Sequence, residues 1–192
     1  ALMEEYENQS IKTVGLIWAV LFDVGFIKKN GFKFKKFVDC EDDYLFIIDS
    51  LSSADRISLI DEVGYLWLWN PDSYSSNKKY IDNIIDKYKQ YFDYSYSVLV
   101  DRINNKDLLK QYEFYRLRKT TIWAIKNECT KKNWNTNGIK KLKVFYKQES
   151  VQKAFNQHYL KPRLKFDRLL YVLCRYHLIN LACLTVYLYS MK

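Results

Sequence analysis

Four carboxyl side chains, Asp39, Glu41, Asp42 and Asp43, cluster just ahead of a run whose apolar residues recur at helical spacing. Mutual repulsion in such a cluster raises the proton affinity of one member toward that of a general base. The same acids in the first turn of a helix stabilise it by about 0.3–1 kcal/mol each with no catalytic role. On residue type alone the helix-start reading is the stronger, so Glu41 and Asp42 become candidate catalytic residues only through their surroundings. Trp18, Trp67 and Trp69 are the candidate substrate-binding residues, because an indole face stacks on a sugar ring or a nucleobase. The alternation Tyr65, Trp67, Trp69 equally fits one buried face of a strand, and ordinary burial is the simpler assignment for it.

Other chemistries are poorly supplied. With only 5 Gly and 2 Pro in 192 residues, no G-x-G-x-x-G or G-x-x-x-x-G-K-[ST] occurs, so no loop cradles a phosphate in the standard ways. Cys40, Cys129, Cys174 and Cys183 form no C-x-x-C, and His158 and His177 stand at no ligand spacing to them, which argues against a structural zinc. These residues are expected to have packing roles. Scattered thiols without a signal peptide point to a reducing cytoplasm. The opening Ala1-Leu2-Met3 reads as an internal segment of a longer chain rather than a natural start.

The elements that must position these residues are mostly helical, since few turn formers and 48% hydrophobic residues suit helices around a sizeable core better than a sandwich or barrel. Val14 to Phe22 is apolar, and Lys28-Lys29-Asn30-Gly31 reads as a helix end. Phe32, Phe34 and Phe37 then interleave with Lys33, Lys35 and Lys36, a solvated basic edge. Leu45, Phe46, Ile48 and Leu51 predict a helix from near Glu41 to about Ser53. Two short strands are expected at 56–60 and 63–69, where β-branched and aromatic residues gather, with Asn70-Pro71-Asp72-Ser73 closing the second. From Ser75 to Ile103 the apolar residues keep to one helical face. Further helices are expected at about 107–129, 139–157 and 164–188, with Lys131 to Gly138 as a polar break.

Taken in order, an apolar stretch with a tryptophan, a helix ending in Asn-Gly-Phe-x-Phe, an acidic pair opening a helix, a strand, and an aromatic strand leading to Asn-Pro-Asp-Ser resemble the second half of the catalytic domain of family 2 glycosyltransferases. The resemblance covers about a third of the chain. It matches Trp18 to the family's tryptophan, Glu41-Asp42 to its E-D motif, and Tyr65 to Ser73 to its aromatic strand and turn. Leu68 and Phe22-Asp23 stand where the family commonly carries basic residues.

The resemblance implies a fold and an activity. The fold would be α+β and mostly helical, with residues 1–75 an acceptor-side α/β remnant of the catalytic domain and residues 76–192 a basic helical bundle. The activity would be transfer of a sugar from a nucleotide-sugar donor to a hydroxyl of a glycan or lipid-linked acceptor in polysaccharide biosynthesis, with Asp42 as base and Glu41 its neighbour. The family's donor half is Rossmann-like and carries a D-x-D metal motif, whereas these 192 residues contain no Asp-x-Asp. A divalent metal, Mg or Mn, would therefore be held outside this chain, and the chain alone is expected to be inactive.

Charge adds a second set of partners. Residues 1–100 hold 11 Lys/Arg against 16 Asp/Glu, and residues 101–192 hold 20 against 6, so the second half seeks an anion. From Tyr176 to Met191 there is no Asp, Glu, Lys or Arg, a run shorter than the roughly 20 apolar residues that cross a bilayer. Lys161, Arg163, Lys165, Arg168 and Arg175 precede it, and its tyrosines suit a headgroup boundary. This predicts a peripheral element on the anionic inner face of the cell membrane, although a helix buried in the bundle would use the same apolar face. The alternative class is a nucleic-acid-binding or non-catalytic interaction domain, with Trp123, Trp134, Phe145 and Tyr146 as stacking rings. Nucleic acid is the weaker choice because no recognised binding motif gathers the basic residues.

Overall fold

A short N-terminal helix, α1 (Val24–Asn30), opens the described part of the chain. The computed structural model describes residues 17, 20–38, 42–58, 66, 68, 80–157 and 165–191. The Asp23 carboxylate accepts the Phe26 amide at 2.6 Å and caps α1. Gly31 ends it at φ 65, a conformation costly for any residue with a Cβ. Phe32 N–H then reaches the Ile27 carbonyl at 3.3 Å and Gly31 N–H the Lys28 carbonyl at 3.2 Å, with the Phe26 and Phe32 rings in contact across the turn. The Asn-Gly signal in the sequence is thus a helix stop.

After a non-helical stretch at 32–36 comes α2 (Asp42–Ser53). Residues 44–50 are all buried, so this helix is enclosed rather than half-exposed. One side rests on α3 (Ile84–Val100), and Phe46 on another side meets the rings of Phe22 and Phe34.

The bundle is organised around α4 (Lys106–Glu128), which packs against α3, α5 (Thr136–Tyr146), α6 (Glu149–Asn156), α7 (Lys165–Arg175) and α8 (Ile179–Tyr189). In α3, Ile84, Tyr88, Tyr91, Phe92, Ser95 and Leu99 share the buried face, the spacing expected of a 3.6-residue period. Asn105 and Asn135 cap α4 and α5, each side-chain oxygen accepting two backbone amides. The buried Arg118 guanidinium donates to the Ala154 carbonyl at 2.7 Å, in the last turn of α6, where a cation complements the helix dipole. One hydrophobic cluster runs from Val38 through α2, α3 and α4 to Val186, continuous across residue 75.

Two expected helices are corrected. The eight helices are accompanied by no strand among the described residues; the single sheet-like pairing is an isolated bridge between Cys129 and Trp134. Of the expected strands at 56–60 and 63–69, only residues 56–58, Leu66 and Leu68 are among the described residues, where they are exposed and carry no strand assignment; the rest lie outside them. The helix expected at 139–157 is two, because Gln148 is extended and redirects α6 so that Val151, Ala154 and Phe155 are buried. The helix expected at 164–188 is also two. His177 takes φ 60, with Leu178 N–H to Leu173 O at 2.8 Å and His177 N–H to Cys174 O at 3.0 Å, the same stop that Gly31 makes.

Candidate functional site

The candidate site is the N-terminal end of α2, which begins at Asp42. The sequence-predicted Glu41, Trp18, Trp67 and Trp69 lie outside the described residues, and Asp42 enters as the first helical residue. What holds α2 in place lies further along it. Asp49, buried about two turns into the helix, accepts Lys35 Nζ at 2.8 Å and the Tyr94 hydroxyl at 2.7 and 2.8 Å. Lys35 also donates to the Tyr94 hydroxyl and lies 4.3 Å from its ring centroid. Three segments are thereby tied to one carboxylate: the stretch after α1, α2 itself and α3.

Electrostatics agree with this geometry. Burial pulls the Lys35 ammonium toward its neutral form, but hydrogen bonds and charge attraction to Asp49 and Tyr94 outweigh it, and its pKa is raised. Burial raises that of Tyr94, with Lys35 opposing and Asp49 adding. Lys35 is therefore a structural cation rather than part of a solvated basic edge. A lysine interleaved with phenylalanines gave no sign of this, since its partner is 14 residues away on another element.

A second polar knot closes the other side of the bundle. Glu128, at the end of α4 and buried, accepts the Tyr80 hydroxyl at 3.0 Å and Asn127 Nδ2 at 2.9 Å. Asn127 also pairs with both backbone groups of Ile81, each at 2.9 Å, which fixes where the chain enters α3. Tyr80 and Asn135 are hydrogen-bonded as well. All of these residues serve positioning.

Among the described residues no three His, Cys, Asp or Glu side chains come together where a metal ion could sit. Cys129, Cys174 and Cys183 are buried free thiols. A hydrogen bond with Cys183, then burial, push the Cys129 thiol far up, and burial does the same to Cys174. Of the four rings considered for base stacking, Tyr146 is buried, Trp123 lies against Tyr88, Phe145 adjoins the core, and Trp134 alone is exposed, edge-on to Tyr187. No described helix is long and apolar enough to cross a membrane.

The features together define a helical module in which an acid-led helix is clamped by a buried carboxylate onto a basic bundle. Comparison with protein-family models, curated proteins and solved structures finds no match.

Proposed function

We propose that the chain is the acceptor-side portion of an inverting, nucleotide-sugar-dependent glycosyltransferase, with Asp42 as its general base. The observation that carries this reading is the order of elements around Asp42: a helix stopped at Gly31, a Phe-x-Phe stretch, and then a new helix starting at the acidic pair. Support also comes from the clamp on Asp49, which ties the backbone of α2 to α3 and to the stretch after α1.

The chemistry asks little else of this chain. As the acceptor oxygen attacks the anomeric carbon, its proton passes to the Asp42 carboxylate, the bond from that carbon to the donor diphosphate breaks, and the nucleoside diphosphate leaves with the electron pair. The configuration at the carbon inverts because attack and departure take place on opposite faces. The negative charge on the leaving diphosphate calls for a divalent cation, Mg2+ or Mn2+. The resemblance assigns that cation to the donor-binding polypeptide, and no step here runs through it. Trp18, Trp67 and Trp69 are assigned to ring stacking with donor or acceptor in this scheme.

The test uses the polypeptide that carries this chain together with a donor-binding half. Incubated with nucleotide sugars and hydroxyl acceptors, it releases nucleoside diphosphate in proportion to acceptor. Absence of any acceptor-dependent release across the common donors overturns the proposal.

A further inference from the structure

The α7–α8 hairpin leaves a large apolar surface uncovered. On α7 and just past it, Leu169, Val172 and Tyr176 stand at i, i+3, i+7 and are 46%, 45% and 67% exposed. On α8, Leu181, Leu184 and Leu188 repeat that spacing at 46%, 45% and 53%. The ring of Phe166 in the first turn of α7 stacks on Tyr189 at the end of α8, centroids 4.4 Å apart, so the helices run antiparallel side by side. Both helices contact α4, and the two stripes are the parts of their surfaces left exposed. Scattered exposed leucines need no explanation, but paired stripes on adjacent helices do.

Cations rim the stripes. Lys165 stands exposed at the start of α7. At the turn end lies a cleft of about 540 Å³ lined by Lys143, Lys147, Gln152, His177 and Asn180. At the far end, Lys131 N–H donates to Ser190 Oγ at 2.8 Å, bringing exposed Lys131 and Lys132 beside the last residues of α8. The nearby acids are already engaged, Asp167 with Lys126 at 2.5 Å and Glu149 with Lys153 at 2.6 Å.

We infer that this hairpin is a docking surface for an anionic lipid leaflet, lying in its plane with both stripes among the acyl chains and the lysine cleft against lipid phosphates. This goes beyond the sugar-transfer proposal and does not depend on it. An 11-residue helix is about 16 Å long, too short to cross but suited to lie flat. A second copy docked face to face would set the cationic rims against each other, and nucleic acid would satisfy the lysines while leaving the leucines in water. Anionic lipid answers both features.

The full 192-residue chain is sedimented with vesicles of phosphatidylcholine alone or with about one-third phosphatidylglycerol, at low and high salt. Expected is binding at least about tenfold stronger to the anionic vesicles, weakened by salt. Leu184→Glu with Leu188→Glu should reduce it about tenfold or more, and Lys143→Gln with Lys147→Gln should remove much of the salt-sensitive share. Leu184, Leu188 and Lys147 are exposed and Lys143 half-buried, so thermal melts should stay close to the parent. Brominated lipid should quench Trp134, which sits 5.1 Å from the Tyr187 ring. No binding, or equal binding to both vesicles at every salt concentration, overturns the inference. So does a concentration-dependent dimer, or tight nucleic-acid binding, that the leucine variant abolishes.

Discussion

Gly138→Ala in the first turn of α5 should destabilise the protein, although the same change in an ordinary exposed helix gains about 1 kcal/mol. A Cβ at Gly138 would lie 1.9 Å from Glu128 Oε2 and 2.3 Å from its Cδ. The Glu128 carboxylate would have to leave, giving up the hydroxyl of Tyr80 at 3.0 Å and the amide of Asn127 at 2.9 Å. Hydrogen bonds to a charged acceptor contribute about 1.5–3 kcal/mol each, so after the helix-propensity gain the net cost is about 2–5 kcal/mol. For a chain of this size that lowers Tm by about 4–20 °C. Thermal unfolding followed by circular dichroism measures it. The diagnostic step repeats the substitution in a Glu128→Ala background, where the clash is gone and Gly138→Ala should turn stabilising by up to about 1 kcal/mol. A stabilising effect in the parent, or equal costs in the two backgrounds, would refute the packing described for Glu128.

Two further outcomes follow from the titratable groups. Burial pushes Tyr146 up to about 12 and raises Tyr80 and Tyr94, and the Lys35 pKa is raised as well. Each group therefore binds its proton more tightly folded than unfolded, and the stability it contributes is complete below about pH 10 and lost as pH rises through its folded value. Urea unfolding should show a falling alkaline limb, and Tyr146→Phe should reduce that fall by about 2–3 kcal/mol; an unchanged limb contradicts the assignment. In native protein at pH 8, Cys129 and Cys174 should resist iodoacetamide until global unfolding, whereas rapid alkylation would place them at the surface.

Local signals in the sequence were strong where short-range physics decides. Asn30-Gly31 marked the end of α1, the acids at 41–43 marked the start of α2, and Asn105 and Asn135 cap helices expected from about 107 and 139. The breaks at Gln148 and His177 were hidden because neither residue type announces a stop and the apolar pattern continues through both. Likewise Lys35 and Glu128 look like surface charges in one dimension. Their pairing depends on Asp49, Tyr94 and Tyr80, partners brought from other elements by the fold. In the candidate site, the start of α2 at Asp42 was legible, whereas the clamp on Asp49 was not, since an acid in mid-helix ordinarily faces water.

Asp42 as the proton acceptor is the claim to which the functional account commits most. In the polypeptide that includes a donor-binding half, Asp42→Asn keeps size and shape but cannot take a proton, while Asp43→Asn alters the charge cluster equally. The decisive measurement compares acceptor-dependent turnover and donor affinity in the two variants. The account predicts a fall in kcat of about 10²–10⁴ for Asp42→Asn with donor binding retained, and a far smaller change for Asp43→Asn. Turnover unchanged in Asp42→Asn, or reduced to the same extent in both variants, would contradict it.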